Sequence, residues 1–293
     1  MLDSNSRVLI LGSYGLLGSH LSSGPYFQEC TRILHGRDVE SNFRVDLLDT
    51  SKVYKMLEET RPNVILNLVG VTDVDRCEQF PDEAYRGNVR TVESLVTAMS
   101  RLSYEPFLVH ISTDQVYDGP ELCAEGSVTL RNYYAFSKYA AELIAKRTRC
   151  AVLRTNFFGK SRTGLRNSLS DWVFQALTNR EKIKVVQDIF FNPLSLGSVC
   201  SLIERVAEKQ PQGIYNLGAR DGMSKADFAF QFAQALALPV SEMKRARASE
   251  VTGLRAARPK DMRMNVSKFE RFFGEKLPSL PNEIKLAAME YLQ

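Results

Sequence analysis

Two side chains that could share a proton stand one helical turn apart in this chain. Tyr134 and Lys138 lie within Tyr133-Tyr-Ala-Phe-Ser-Lys-Tyr-Ala-Ala-Glu142, and residues four apart on a helix share a face, with β-carbons roughly 5–6 Å apart. A free phenol has a pKa of about 10, and a neighbouring ammonium lowers it by favouring the phenolate. Upstream, His110-Ile-Ser-Thr-Asp-Gln-Val-Tyr-Asp-Gly119 places a hydroxyl, Thr113, at the end of an apolar strand. Thr113 could donate a hydrogen bond to the carbonyl or alkoxide oxygen that receives the tyrosine proton, the arrangement hydride transfer needs for proton delivery. Tyr-x-x-x-Lys alone fits equally a solvated lysine beside a half-buried aromatic; its place after Ser112-Thr113 and after an N-terminal glycine fingerprint favours the chemical reading.

Those side chains need strands and helices in a fixed order. Arg7 to Leu11 is a short β-rich run, followed at once by Gly12-Ser-Tyr14-Gly15-Leu16-Leu17-Gly18. Strand, glycine turn and helix start form the order in which a dinucleotide pyrophosphate is held at a helix N-terminus. The glycines are each separated by two residues, where the usual fingerprint has one and then two. The second strand, Thr31 to His35, runs into Gly36-Arg37 where an acidic ribose ligand would stand for NAD, and the guanidinium suits a 2′-phosphate, so NADP is expected, with NAD as the alternative. Asp46, at an expected strand end after Val45, could meet the adenine edge together with Leu47, and Asp49 or Thr50 suits the N-cap of a helix over 51–59. Val64 to Gly70 is a continuous apolar run typical of a fully buried parallel strand, presenting Asn67, Val69, Gly70 and Val71 toward a cofactor. A polar turn is expected over 71–78, then a helix from Pro81 to about Arg101 that carries Asn88 either on its surface or in a tertiary hydrogen bond. Phe107 to Ser112 and Ala151 to Arg154 complete the strands.

This alternation predicts an α/β fold, a Rossmann-type doubly wound parallel sheet with a smaller C-terminal substrate lobe. Residues 1–155 are expected to form the dinucleotide-binding domain, the chain returning to it near 185–220, and 156–293 mainly the substrate-binding lobe. Phe228, Phe232 and Leu236 recur at helical spacing and read as core.

Composition narrows the function classes. The 293 residues are 44% hydrophobic and 25% charged with a formal charge of +4, too little charge to argue for nucleic acid. No run reaches the ~18 apolar residues of a membrane span, and the N-terminal residues lack a signal-peptide pattern, so the expected location is the cytoplasm. Five cysteines without Cys-x-x-Cys spacing suggest reduced thiols. The three histidines, His20, His35 and His110, show no metal-ligand spacing, so no metal is expected, and His110 reads as a core residue.

With its motifs in this order, the chain resembles the extended short-chain dehydrogenase/reductases, and within them the dTDP-4-dehydrorhamnose reductase group, over almost its whole length. Gly12, Gly15 and Gly18 match the cofactor glycines; Asn67 to Thr72, Ser112-Thr113-Asp114 and Val116 to Gly119 match further motifs. Tyr134 and Lys138 match the catalytic pair, and Asp188 to Pro193 and Arg258-Pro259 match substrate-side segments. The resemblance implies a reductase passing hydride from NADPH to a 4-keto nucleotide sugar. Tyr134 is then the proton donor, Lys138 holds the nicotinamide ribose and lowers the tyrosine pKa, and Thr113 orients the sugar oxygen. Thr72, Asp114, Gln115, Asn156, Phe157 and Arg258 are the implied substrate residues, Arg258 toward the diphosphate. Homodimers and magnesium dependence occur in the family, without support from ligand spacing here. Group members often have Tyr after Thr-Asp, where this chain has Gln115, and a Trp soon after Arg-Thr, where it has Asn156-Phe157. Related 4,6-dehydratases use Asp-Glu for water elimination; the amide of Gln115 cannot serve as that base. Two other functions fit the same motifs: a non-catalytic NADP-binding subunit similar to the β subunit of methionine adenosyltransferase, and an epimerase that retains NAD.

Overall fold

The structure, a computed structural model, describes residues 2–36, 41–164, 166–251 and 253–292. The chain divides into two compact units of nearly equal length, Met1–Ser112 with Tyr133–Leu153 and Cys200–Ile214, and Thr113–Asn132 with Arg154–Val199 and Tyr215–Gln293. Residues 113–132 group with the second unit because their side chains bond there: the Tyr117 hydroxyl donates to Asn216 at 2.6 Å, and Asn132 donates to the Ala257 carbonyl at 2.9 Å.

The chain runs through β1 (Arg7–Leu11), α1 (Leu16–Ser23), β2 (Thr31–His35), α2 (Thr50–Thr60), β3 (Val64–Asn67), α3 (Val74–Gln79), α4 (Pro81–Ala84), a π-helical turn at Tyr85–Arg90, α5 (Thr91–Met99), β4 (Phe107–Thr113), α6 (Tyr133–Ala145) and β5 (Cys150–Thr155). Later come β6 (Phe157–Phe158), α7 (Leu169–Thr178), β7 (Ile183–Val186), β8 (Phe190–Phe191), β9 (Leu194–Ser195), α8 (Leu196–Lys209) and β10 (Gly213–Leu217). β11 (Met223–Ser224), α9 (Lys225–Ala235), β12 (Met243–Ala246), α10 (Ser267–Phe273) and α11 (Leu280–Tyr291) close the chain.

A six-stranded sheet has the order β10-β5-β4-β3-β1-β2, and β2, β1, β3 and β4 pair in parallel. All four residues of β3 and all seven of β4 are buried, which is why both read as unbroken apolar runs: a parallel sheet covered on both faces leaves no strand position in water. The chain leaves β1 for β2 on one side and then crosses to β3 on the other. That reversal opens a crevice beyond the strand ends, where ligands bind in such sheets. α2 starts at Asp49, whose carboxylate accepts from the Lys52 amide at 3.1 Å, and its apolar face, Val53, Met56 and Leu57, joins the core.

Three local expectations change. No strand ends at Asp46: Phe43 makes only an isolated bridge to His35, and the exposed Asp46 carboxylate accepts from the Leu48 amide at 3.0 Å, shaping a turn. The expected polar turn over 71–78 is helical from Val74, because Asp73 caps it by accepting from the Arg76 amide. The helix begun at Pro81 widens into the π turn at Tyr85–Arg90 before α5 continues.

In the second unit, β7 pairs with β12 in parallel and β8 with β11 antiparallel. The aromatic stripe of α9 is core: Phe228 and Phe232 are fully buried, Phe158 meets Phe228 edge-on at 4.7 Å and Tyr291 meets Phe232 at 5.3 Å. None of the five cysteines is in a disulfide. Among the described residues, no helix is long and apolar enough to cross a membrane, and no cluster of His, Cys, Asp and Glu is placed to hold a metal ion.

Candidate functional site

The glycine turn leaves β1 with Gly12 at φ +86°, a conformation that side chains disfavour. The amides of Gly12 and Ser13 both donate to the His35 carbonyl, tying the turn to the end of β2. A β-carbon on Gly18 would stand 2.1 Å from the Gly12 carbonyl oxygen, and one on Gly12 would stand 3.2 Å from Val69 Cγ2. The turn therefore packs backbone on backbone against both α1 and the end of β3. α1 begins at Gly15 without a side-chain cap, so its first amides are free to meet an anion. Tyr14 is exposed, Leu16 half-buried and Leu17 buried. Leu47 is buried in the hydrophobic core. Arg37, on which the expected preference for NADP rests, lies outside the described residues.

β3 continues into Leu68-Val69-Gly70-Val71. Gly70 has room for no side chain, because a β-carbon there would come within 2.9 Å of Asn88 Oδ1 and 3.8 Å of Lys138 Nζ. This close approach links the glycine turn, through Val69 and Gly70, to the tyrosine and lysine of α6. Tyr134 is 7% exposed, packed among Cys77, Ala84, Val71 and Val74. Lys138 is 5% exposed and donates to the Ile111 carbonyl at 2.7 Å. Burial pulls its pKa down to about 8, against the opposing pull of Glu142 and Cys77. At neutral pH Lys138 is thus a buried ammonium on the same helix face as the buried Tyr134 ring. Asn67 does not face outward: it donates to His110 Nδ1 at 3.2 Å and accepts from the Val69 amide, holding the loop after β3. His110 is wholly buried, and burial holds its pKa well below the usual range, so the ring is neutral.

In the second unit, Thr113 caps the short turn Asp114–Val116, its hydroxyl oxygen accepting from the Gln115 amide at 3.2 Å. The Thr113 hydroxyl also donates to Asp114 Oδ1 at 3.3 Å, while Asn156 donates to Asp114 Oδ2 at 2.7 Å. Burial pushes Asp114 up to about 6, and the Asn156 hydrogen bond and the Lys225 charge hold it back. Gln115 Oε1 accepts from Asn132 at 3.2 Å. Phe157 is half-buried in β6, beside Leu194 of β9. Arg258 is half-buried and donates to the Ala256 carbonyl at 3.1 Å. Asp114, Gln115, Asn156, Phe157 and Arg258 thus share one unit with Thr113, whereas Thr72 is exposed in the other.

The family model for the RmlD substrate binding domain matches residues 6–292. The chain belongs to this family. Among curated relatives, a dTDP-4-dehydrorhamnose reductase of Aggregatibacter actinomycetemcomitans is 27% identical over 92% of this chain and 94% of its own. Methionine adenosyltransferase 2 subunit beta of Rattus norvegicus is 28% identical over 93% of this chain and 84% of its own. A crystal structure of dTDP-4-dehydrorhamnose reductase from Bacillus anthracis in complex with NADP superposes with a TM-score of 0.87, at 25% identity, covering 98% of this chain and 99% of that one.

One residue of this RmlD-family chain is missed by sequence reasoning. Lys225, at the start of α9, is close enough in charge to act on Asp114; burial lowers its pKa, Asp114 opposes that and Arg258 adds to it. No motif marks it, since a lysine opening an amphipathic helix usually faces water. Asn88, expected either on the helix surface or in a tertiary hydrogen bond, takes the tertiary position. It is 1% exposed, donates to the Val71 carbonyl at 3.0 Å and to Ser137 Oγ at 2.9 Å, and accepts from the Val71 amide at 2.7 Å. The π turn supplies this inward position, as such turns often do at functional sites. Asn88→Ala takes the partner from the Val71 amide and leaves the Val71 carbonyl only the weak Cys77 thiol donor, and is expected to destabilise the fold by about 1–3 kcal/mol, read by urea unfolding.

Proposed function

We propose that this chain reduces the 4-keto group of a nucleotide sugar with NADPH. The carrying observation is the buried Tyr134–Lys138 pair on α6, in the same unit as a glycine turn with no space for a β-carbon at Gly18. That crowding fits a turn built for close backbone approach to a pyrophosphate. The reductase names of the relatives support the reading.

In this reading Gly12, Tyr14, Gly15 and the first amides of α1 at Leu16 and Leu17 hold the pyrophosphate, and Val69, Gly70 and Val71 line the cofactor. Bound NADPH supplies the hydride. Tyr134 gives its proton to the oxygen that becomes the sugar hydroxyl, and Lys138 holds the nicotinamide ribose while its positive charge stabilises the phenolate left behind. Thr113 donates a hydrogen bond to the same oxygen. Asp114, Gln115, Asn156 and Phe157 form the sugar pocket, and Arg258 meets the diphosphate as a charge-assisted donor. Assembly as a homodimer and location in the cytoplasm belong to the reading as well.

Incubating the protein with NADPH and a panel of 4-keto nucleotide sugars tests it. Consumption of NADPH with one of them, faster than with NADH, is expected; no consumption with any overturns the proposal. The 28% match to a methionine adenosyltransferase subunit favours a second reading, a non-catalytic NADP-binding subunit. A stable complex with a methionine adenosyltransferase catalytic chain, together with no turnover by the isolated protein, would select it.

A further inference from the structure

The reaction just described leaves one buried charge of the first unit without a task. Glu142 is fully buried on α6, one turn beyond Lys138, and its Oε1 accepts a short hydrogen bond from the Ser112 hydroxyl on β4. A carboxylate sealed from water costs free energy unless a donor and a positive charge meet it. Ser112 is the donor. The positive charge is Lys138, four residues back on the same helix face. We propose that Glu142 is the positioning residue of the Tyr134–Lys138 pair: anchored by Ser112, its carboxylate keeps the Lys138 side chain an ammonium at the pH where the reaction runs.

The alternative is that Glu142 merely ties α6 to β4, with no influence on the lysine. Several observations favour the electrostatic role. Lys138 is buried in surroundings that favour the neutral amine, and its one hydrogen bond shown, to the Ile111 carbonyl, carries no full charge. Of the titratable groups acting on it, Glu142 is the largest influence favouring the charged form and Cys77 on α3 a smaller one. His110 on β4 is neutral. Glu83 on α4 pairs with Arg76 and Glu93 on α5 with Arg90, both at 2.8 Å, and Asp82 on α4 is exposed to solvent. By helix rise, Glu142 lies about 6 Å along the axis from Lys138 and about 12 Å from Tyr134. The carboxylate therefore acts on the ammonium more strongly than it opposes the phenolate.

This inference rests on the reductase reading for its role in turnover, but not for the lysine titration. Glu142→Gln keeps an oxygen for Ser112 and removes the charge. In wild type the alkaline limb of kcat is expected near pH 8, because burial pulls Lys138 down to about 8. In the variant it is expected to fall by about one unit or more, leaving activity about tenfold lower at pH 9 and within about twofold at pH 6. Glu142→Asp, which keeps the charge, should return the limb to within about half a unit of wild type. The 13C resonance of Lys138 Cε, assigned through Lys138→Arg, should titrate in parallel without any substrate. A folded Glu142→Gln protein whose limb and resonance stay in place overturns the proposal. Should that variant not fold, Ser112→Ala, which frees the carboxylate from its anchor, is expected to move the resonance in the same direction by a smaller step, and an unmoved resonance then overturns it. If no 4-keto nucleotide sugar is reduced, the reductase reading fails while the lysine titration still decides this one.

Discussion

A Tyr134→Phe variant is expected to bind NADPH as the wild type does and to lose about 10²–10⁴-fold in kcat, the usual contribution of a positioned general acid. The substitution removes one oxygen from a ring that is 7% exposed and packed among Cys77, Ala84 and Val71. The packing survives and the proton source does not. Water would have to protonate the alkoxide, without the nearby ammonium to stabilise the conjugate base. Cofactor fluorescence titration measures the first half of the expectation and steady-state NADPH oxidation the second. A kcat within threefold of wild type would remove the tyrosine from the chemistry and, with it, the proposed mechanism.

Asp114→Asn is expected to act in two directions at once. Asp114 is 1% exposed and burial raises its carboxyl pKa to about 6 from an ordinary 3.8. The folded state thus holds a proton more tightly than the unfolded chain does. A group of this kind costs stability above its folded pKa, and the cost fades as pH falls from about 6 toward the unfolded value. The amide carries no such cost, yet its oxygen still accepts from Asn156. The variant is therefore expected to gain on the order of 1–3 kcal/mol of unfolding free energy at pH 7.5, shrinking as pH drops through 6. Binding of the keto sugar should weaken by about tenfold or more, because a charged acceptor for sugar hydroxyls becomes a neutral amide. Urea unfolding across pH 4–8 and the KM of the substrate read the two effects. Equal stability of the two proteins at every pH would mean that burial does not raise the pKa of this carboxyl, and unchanged KM would take it out of the sugar pocket. A carboxylate kept at such a cost suggests function set against stability.

Local chemistry determines a large part of this protein from sequence alone. β1 and β2 begin and end where the β-rich runs at Arg7–Leu11 and Thr31–His35 do; β1 is buried from Val8 onward, as a strand covered on both faces must be apolar, whereas β2 is the half-exposed edge of the sheet. The glycine turn is legible because only a residue without a side chain fits at Gly12 and Gly18. The Tyr-x-x-x-Lys pair is legible because helical spacing alone places both groups on one face, and the RmlD family follows from those motifs in order. What tertiary structure decides is which buried polar group meets which. Asn88 gains its inward position from a π turn that no period in the sequence announces, Asn67 turns to His110 instead of outward, and Asp73 caps a helix where a polar turn is expected. Lys225 acts on Asp114, and Glu142 meets Ser112, across gaps of 111 and 30 residues that no local pattern spans. The reason is physical. A residue's secondary structure depends largely on neighbours within a few positions, whereas the protonation of a buried acid or amine depends on whichever charges and donors the completed fold brings beside it.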